Sequence, residues 1–287
     1  MAIPKGLEPT GVILVDKPAG PSSFAVLAGV RSRTRAKTGH AGTLDPFATG
    51  LLILLSGRAT TMASCFVGLP KRYLTDVDLS RRTSTGDPEG EPLEAHDIPT
   101  RSSLDASLAD LRGEIELPIP TASAVKIGGE RAYKLHRQGV VVVMPLRRSQ
   151  VDALDVIAYT EGIATLDLRV SSGTYVRSIA DALGGHCISL RRTEVGPFSV
   201  EEADAEQVLS LDEALGRIGM TVAEAEAERR QKADADRRAH EVRKASEAHG
   251  PDAADAARAA AAWEARGTEA SANSAQASAG ESGADGA

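Results

Sequence analysis

The sequence predicts an α+β fold, and three observations carry that reading. Short segments rich in Val, Leu and Ile outnumber the helical ones and often follow one another directly, whereas a doubly wound sheet alternates strand with helix. Residues 71–79, KRYLTDVDL, set Tyr73, Thr75, Val77 and Leu79 against Leu74, Asp76 and Asp78, the period of two of a half-buried strand. From about residue 218 the chain turns Ala-rich and densely charged, with too few large apolar side chains to bury much surface. Residues 1–217 therefore read as the folded domain and 218–287 as a tail. That tail is expected to be helical as far as Gly250-Pro251 and disordered through the Ser/Ala/Gly stretch after Gly267.

Within the folded part, GVILVDKPAGPSS opens with a strand, Val12 to Val15, ended by Asp16-Lys17-Pro18 and a Gly-Pro turn. Ser22 or Ser23 caps the next helix, whose apolar face is Phe24, Leu27 and Ala28. TGHAGTLDPFATGLLILLSG, residues 38–57, combines a Gly-rich, Pro-containing turn with a buried strand that leads into a helix. After the strand at 71–79, RRTSTGDPEGEP is a polar turn cluster. RSSLDASLADLR is a helix over 101–112, capped by Ser102 or Ser103 and stopped at Gly113. Gly128-Gly129 marks a hairpin, Gly139 ends a short helix, and strands follow around 140–146, 151–158 and 163–170. In SSGTYVRSIADALGG, Val176, Ile179, Ala180 and Leu183 fall at i, i+3, i+4 and i+7, and Gly184 supplies the stop.

Composition narrows the function classes. Apolar residues make up 42% of the chain but aromatics only 3%, so Leu, Val, Ile and Ala must build the core, and each of the four tyrosines can be weighed singly. A formal net charge of -7 excludes a uniformly basic coat and leaves nucleic acid to local patches. Arg31, Arg33, Arg35 and Lys37, together with Arg147-Arg148, are the candidates; Lys71-Arg72, Arg81-Arg82 and Arg191-Arg192 read as solvated faces. Cys65 and Cys187 stand far apart without a C-x-x-C partner, which argues against a disulfide scaffold or a zinc site and for small buried hydrophobes. The N-terminus has no apolar signal core and no window suits a membrane span, so the expected location is cytoplasmic.

One carboxylate stands out. Asp45 sits in the turn within residues 38–57, and loops carried on rigid scaffolds are where catalytic groups concentrate. The surrounding GHAGTLDPFATGLL resembles the signature of the pseudouridine synthases, specifically the bacterial enzymes that modify the T-loop uridine of tRNA at position 55. GVILVDKPAGPSS, KRYLTDVDLSRRTSTGDPEG, PTASAVKIGGERAYKLHRQG, SSGTYVRSIADALGG and LRRTEVGPFSVEEA extend the resemblance, in family order, over roughly residues 10–213. It implies a mixed, mainly antiparallel sheet flanked by helices and loops. It also implies an isomerase that needs no cofactor and no metal, works as a monomer, and takes the T-arm of tRNA as its partner.

Carried over by position, the resemblance makes Asp45 the essential aspartate, acting as a nucleophile at C1′ or C6 or as a base at the C2′ proton. Arg177 would pair with it, holding the carboxylate charged and its rotamer fixed. Tyr73 would stack on the flipped uracil and Tyr175 would complete the ring wall. His40 would reach the RNA, Leu190 would pack against the base, and Lys17 would hold either phosphate backbone or a loop. Two departures stand out: His136 replaces a small residue, and the small C-terminal β domain of many relatives has no counterpart in this composition. Other readings are a different RNA specificity, such as guide-dependent modification, or a tRNA-folding chaperone using the same cleft. A retaining glycosidase-like hydrolase would need a second carboxylate from Asp76, Asp78 or Asp87, although Asp87 fits the resemblance better as a loop residue ordering the site.

Overall fold

The computed structural model describes residues 10–248. In chain order the elements are β1 (Gly11–Lys17), α1 (Ser23–Thr34), β2 (Thr38–His40), β3 (Thr49–Ser56), α2 (Ala63–Val67), β4 (Lys71–Asp78), β5 (Arg81–Thr83), β6 (Pro92–Ala95), α3 (Arg101–Asp110) and β7 (Gly113–Pro118). They continue with β8 (Lys126–Ile127), β9 (Glu130–Arg131), α4 (Ala132–Arg137), β10 (Leu146–Thr160), β11 (Ile163–Val170), α5 (Val176–Ala182), β12 (His186–Val195), β13 (Phe198–Ser199), α6 (Leu211–Arg217) and α7 (Val222–Ala248). The main sheet runs β1-β3-β12-β4-β11-β10-β7, with β2 added to β3 and β13 to β12; β5-β6 and β8-β9 are separate ribbons. Every pairing is antiparallel except β12 with β3, which is parallel and confined to Arg191↔Thr49 and Arg192↔Gly50. The expected mixed, mainly antiparallel α+β architecture is the one found.

Burial explains the two strand grammars. β1 and β3 are covered on both faces: Val12, Leu14, Leu51, Ile53 and Leu55 belong to one cluster with Met62, Phe66 and Leu215, whereas Ile13, Val15, Leu52 and Leu54 pack on Leu27 and Val30 of α1. Hence the unbroken apolar run GLLILLS, as in a strand buried on both sides. β4 instead alternates strictly, with Lys71, Tyr73, Thr75 and Val77 inward, and shares a core with β11, β10, α3 and α5.

Several sequence expectations need correction. The buried face of α1 is Ser23, Leu27 and Val30, so Phe24 stays 68% exposed. The cap of α3 is Thr100, whose hydroxyl accepts from the Ser103 amide. No strand forms at 140–145, where Val141 and Val143 are almost fully exposed; without a neighbouring edge to pair with, their β propensity has no outlet. The polar cluster after β4 is folded inward, with Thr83, Thr85 and Asp87 buried. Chain contacts divide the protein into Met1–Arg229 and Arg230–Ala287, and the first unit passes the expected limit of 217 because Ile218, Met220, Val222 and Ala225 complete the cluster under α6. From residue 230 to 241 every side chain of α7 is exposed. The extreme N-terminus and the stretch after Gly267, read above as lacking a signal and as disordered, lie outside the described residues.

Candidate active site

A cleft of about 190 Å³ opens between the turn at 42–45, β4, β12 and the segment at 172–177 that leads into α5. Its walls include Asp45, Tyr73, Tyr175, Arg177 and Leu190, and with them Lys71 and Arg192. Asp45 is the one carboxylate among these lining residues. Its turn is tied down at several points. Ser23 Oγ donates to the Leu44 carbonyl and accepts from the Leu44 amide, both at 2.8 Å. Lys17, wholly buried, donates from Nζ to the carbonyls of Pro18 (2.8 Å), Pro46 (3.1 Å) and Ala48 (2.6 Å). The bonds to Pro46 and Ala48 tie Lys17 to the loop that carries Asp45.

Arg177 enters from the first turn of α5 and is buried. Its Nε donates to Asp45 Oδ2 at 2.9 Å, Nη1 to Thr85 O at 2.7 Å, and Nη2 to Ala122 O at 3.0 Å. Nη1 also lies 3.2 Å from Asp87 Oδ2. One guanidinium therefore gathers two carboxylates and two chain segments, a use of the planar fork that a lysine could not copy. The Asp45 side chain remains 37% exposed on the cleft side. Burial of its carboxyl group raises its pKa above the ordinary value and the Asp87 charge adds to that, while Arg177 and Lys17 pull it down. The net direction is upward, leaving a carboxylate that is paired but not over-stabilised.

Tyr73 lies opposite Leu168 of β11 and Arg192 of β12, its ring inward and 8% exposed. Tyr175 is the residue before α5; burial raises its phenol pKa. Leu190 points into the cleft from β12. Besides Lys17, His40 is the expected residue that does not line these walls: it pairs with Leu54 from β2, its Nδ1 is buried without a partner, and burial together with the Arg192 charge lowers its pKa. Asp76 and Asp78 are spent elsewhere, Asp76 accepting from Thr165 and Ser189 hydroxyls and Asp78 from the Ser80 amide. Asp87 accepts from Thr85 Oγ1 and the Glu89 amide behind Arg177. No second carboxylate faces Asp45 across the cleft, as a retaining hydrolase would require. Among the described residues no group of three or more His, Cys, Asp or Glu is placed to hold a metal ion.

Residues 31–176 match the N-terminal domain of the TruB family pseudouridylate synthases. The protein named tRNA pseudouridine synthase B of Mycolicibacterium paratuberculosis is 40% identical over 247 residues, 77% of this chain and 84% of the relative. The protein of the same name in Corynebacterium efficiens is 40% identical over 246 residues, 77% of this chain and 83% of its own. The chain belongs to the TruB family. Among solved structures, a Cbf5-Nop10-Gar1 complex matches with a TM-score of 0.52 and 28% identity, over 66% of this chain and half the length of that one.

In this TruB family member, sequence reasoning passed over two lining residues. Lys71 and Arg192 looked like halves of solvated basic pairs, yet both are buried. Strand alternation separates each pair: Arg72 points outward to Asp167 and Glu194, and Arg191 to Asp16. Lys71 Nζ donates to the carbonyls of Val67 and Leu69 and to Ser172 Oγ, and desolvation with the nearby Arg192 charge brings its pKa down to about 8. Of the RNA-patch candidates, Arg148 sits beside Glu114 and Glu116, whereas the Arg147 guanidinium lies against Gly173 at the cleft rim.

Proposed function

We propose that this protein converts uridine to pseudouridine in tRNA, taking the T-loop uridine at position 55, with Asp45 as the essential nucleophile or base. The observation that carries the reading is the Asp45 carboxylate held by Arg177 at 2.9 Å in a ring-walled cleft, in a chain 40% identical to proteins named tRNA pseudouridine synthase B. The isomerisation breaks C1′–N1, turns the base, forms C1′–C5, moves a proton from C5 to solvent and places one on N1. No electrons are gained or lost, so the reading requires neither cofactor nor metal.

The uridine must leave its stack to reach Asp45. Tyr73 supplies a flat apolar partner for the extruded ring, Leu190 and Tyr175 flank it, and Arg177 keeps the carboxylate ionised and aimed. His40, displaced from the cleft walls, is left to contact RNA outside the base pocket. Chemistry is assigned to the folded domain and not to the helical tail, with the protein acting as a cytoplasmic monomer. Among the described residues no helix is long and apolar enough to cross a membrane. The test is release of tritium from C5-labelled uridine in tRNA, combined with mapping of the modified position. Asp45→Asn is expected to bind tRNA and release nothing; unchanged release in that variant refutes the mechanism.

A further inference from the structure

Arg192 is among the largest fully buried side chains of the protein, at 1% exposure. A buried guanidinium is normally matched by a carboxylate, because stripping its water is costly. Its neighbour Arg191 has such a match in Asp16 at 2.8 Å, but Arg192 forms no ion pair among the described residues. It spends its donors on backbone carbonyls instead: Nε on Leu51 at 2.7 Å, Nη2 on Gly42 at 3.2 Å and Nη1 on Thr43 at 3.4 Å.

Those three carbonyls bracket Asp45. Gly42 and Thr43 enter its turn, and Leu51 follows where the chain becomes β3. The backbone of Arg192 closes the same bracket, for it pairs with Gly50 in the sheet's parallel contact, and a Cβ on Gly50 would stand 2.2 Å from the Arg192 carbonyl oxygen. On its other side Arg192 pairs with Tyr73. One residue thus joins both ends of the Asp45 turn to the strand that carries the ring wall.

We infer, on the reading that Asp45 acts on a uridine stacked against Tyr73, that Arg192 is a positioning residue: its fork clamps both ends of the turn and sets the carboxylate's height above the base. It touches neither reacting atom. Its unmatched charge leaves a separate signature, because the same guanidinium bears on His40 and Lys71 and holds both toward their neutral forms.

The experiment uses the full chain carrying Arg192→Lys or Arg192→Gln. Single-turnover tritium release, tRNA affinity, thermal midpoint and the NMR titration of His40 are measured for each. A lysine keeps the charge, but its single Nζ cannot stand at the three separate positions from which Nε, Nη1 and Nη2 reach Leu51, Thr43 and Gly42. Arg192→Lys is therefore expected to bind tRNA within about threefold of wild type while reacting on the order of 100-fold more slowly, the usual consequence of displacing a catalytic group by about 1 Å. Arg192→Gln should show the same rate loss and also an upward shift of the His40 titration, which the lysine variant should not show. Wild-type rates in Arg192→Lys, or an affinity loss that matches the rate loss, would overturn the clamp. So would failure of both variants to fold at low temperature, which would make the residue structural. If the wild-type protein itself releases no tritium, the functional reading falls and takes this inference with it, an outcome distinct from release at equal rates by wild type and variant.

Discussion

Replacing Arg177 with Met removes the cationic fork that Asp45 and Asp87 share. Met roughly fills the same length but leaves two carboxylates facing an apolar side chain and strands the carbonyls of Thr85 and Ala122. Deleting one partner of a buried ion pair costs about 3–5 kcal/mol. At about 2–4 °C per kcal/mol for a domain of this size, the thermal midpoint should drop by roughly 6–20 °C. The loss should also depend on pH in a definite direction. Asp45 already has a folded pKa above its ordinary value, so its protonated form favours folding below the unfolded value and that contribution disappears as pH rises through the folded one. Without Arg177 the folded value climbs further, and the variant should recover stability relative to wild type on acidification. Its tritium-release rate, which needs the ionised carboxylate, should have its acid limb displaced to higher pH. Arg177→Lys should be intermediate, since a single ammonium keeps the charge but cannot occupy the three separate positions from which Nε, Nη1 and Nη2 reach Asp45, Thr85 and Ala122. Thermal unfolding and single-turnover rates from pH 5 to 9 make the measurement. A midpoint within about 2 °C of wild type with an unmoved acid limb would refute the reasoning, because it would mean the two carboxylates do not depend on this guanidinium.

Tyr73→Phe should retain activity, while Tyr73→Ala should lose roughly ten- to a hundredfold, given about 1–3 kcal/mol per stacked base; equal losses in both would transfer the role to the hydroxyl. Lys71 has its pKa lowered to about 8, so the folded state binds fewer protons than the unfolded one between that value and the ordinary 10.5. Denaturant unfolding should therefore show stability rising with pH across that window in wild type and flat in Lys71→Met. Gly50 has φ +101°, and a Cβ there would collide with Arg192 backbone. Gly50→Ala should cost at least about 3 kcal/mol by strain and overpacking together, measured as a fall in the denaturation midpoint.

Much of this was legible from periodicity. The alternation at 71–79 placed Tyr73 on the inner face of β4, and the i, i+3, i+4 spacing after Val176 set α5 and the entry angle of Arg177. The Gly-rich turn around Asp45 and the apolar run after it were equally plain. Arg192 and Lys71 were harder because charge is ordinarily a sign of solvent, whereas Asp87 was read as a loop residue ordering the site through the resemblance alone. Only the tertiary fold reveals that three carbonyls converge on Arg192, and that Thr85 and Arg177 surround Asp87. The converse error came from Phe24, Val141 and Val143, apolar residues in suitable local patterns with nothing packed over them. His40, five residues before Asp45, lies on β2 opposite Leu54 and outside the cleft walls, a placement that its spacing from Asp45 does not specify.

The short parallel contact between β3 and β12 also governs when the protein can become competent. The Arg192–Leu51 bond at this seam joins residues 141 apart in the chain, and the Asp45–Arg177 bond spans 132. Closing loops of that length costs entropy before any contact rewards it, so this seam forms late. Until then the Thr49–Gly50 end of β3 lacks its partner, although β2 already pairs the Leu54–Ser56 end. A chain that has folded only as far as β4 holds Asp45 without Arg177, and the cleft walls are complete only once α5 has formed and β12 slots between β3 and β4.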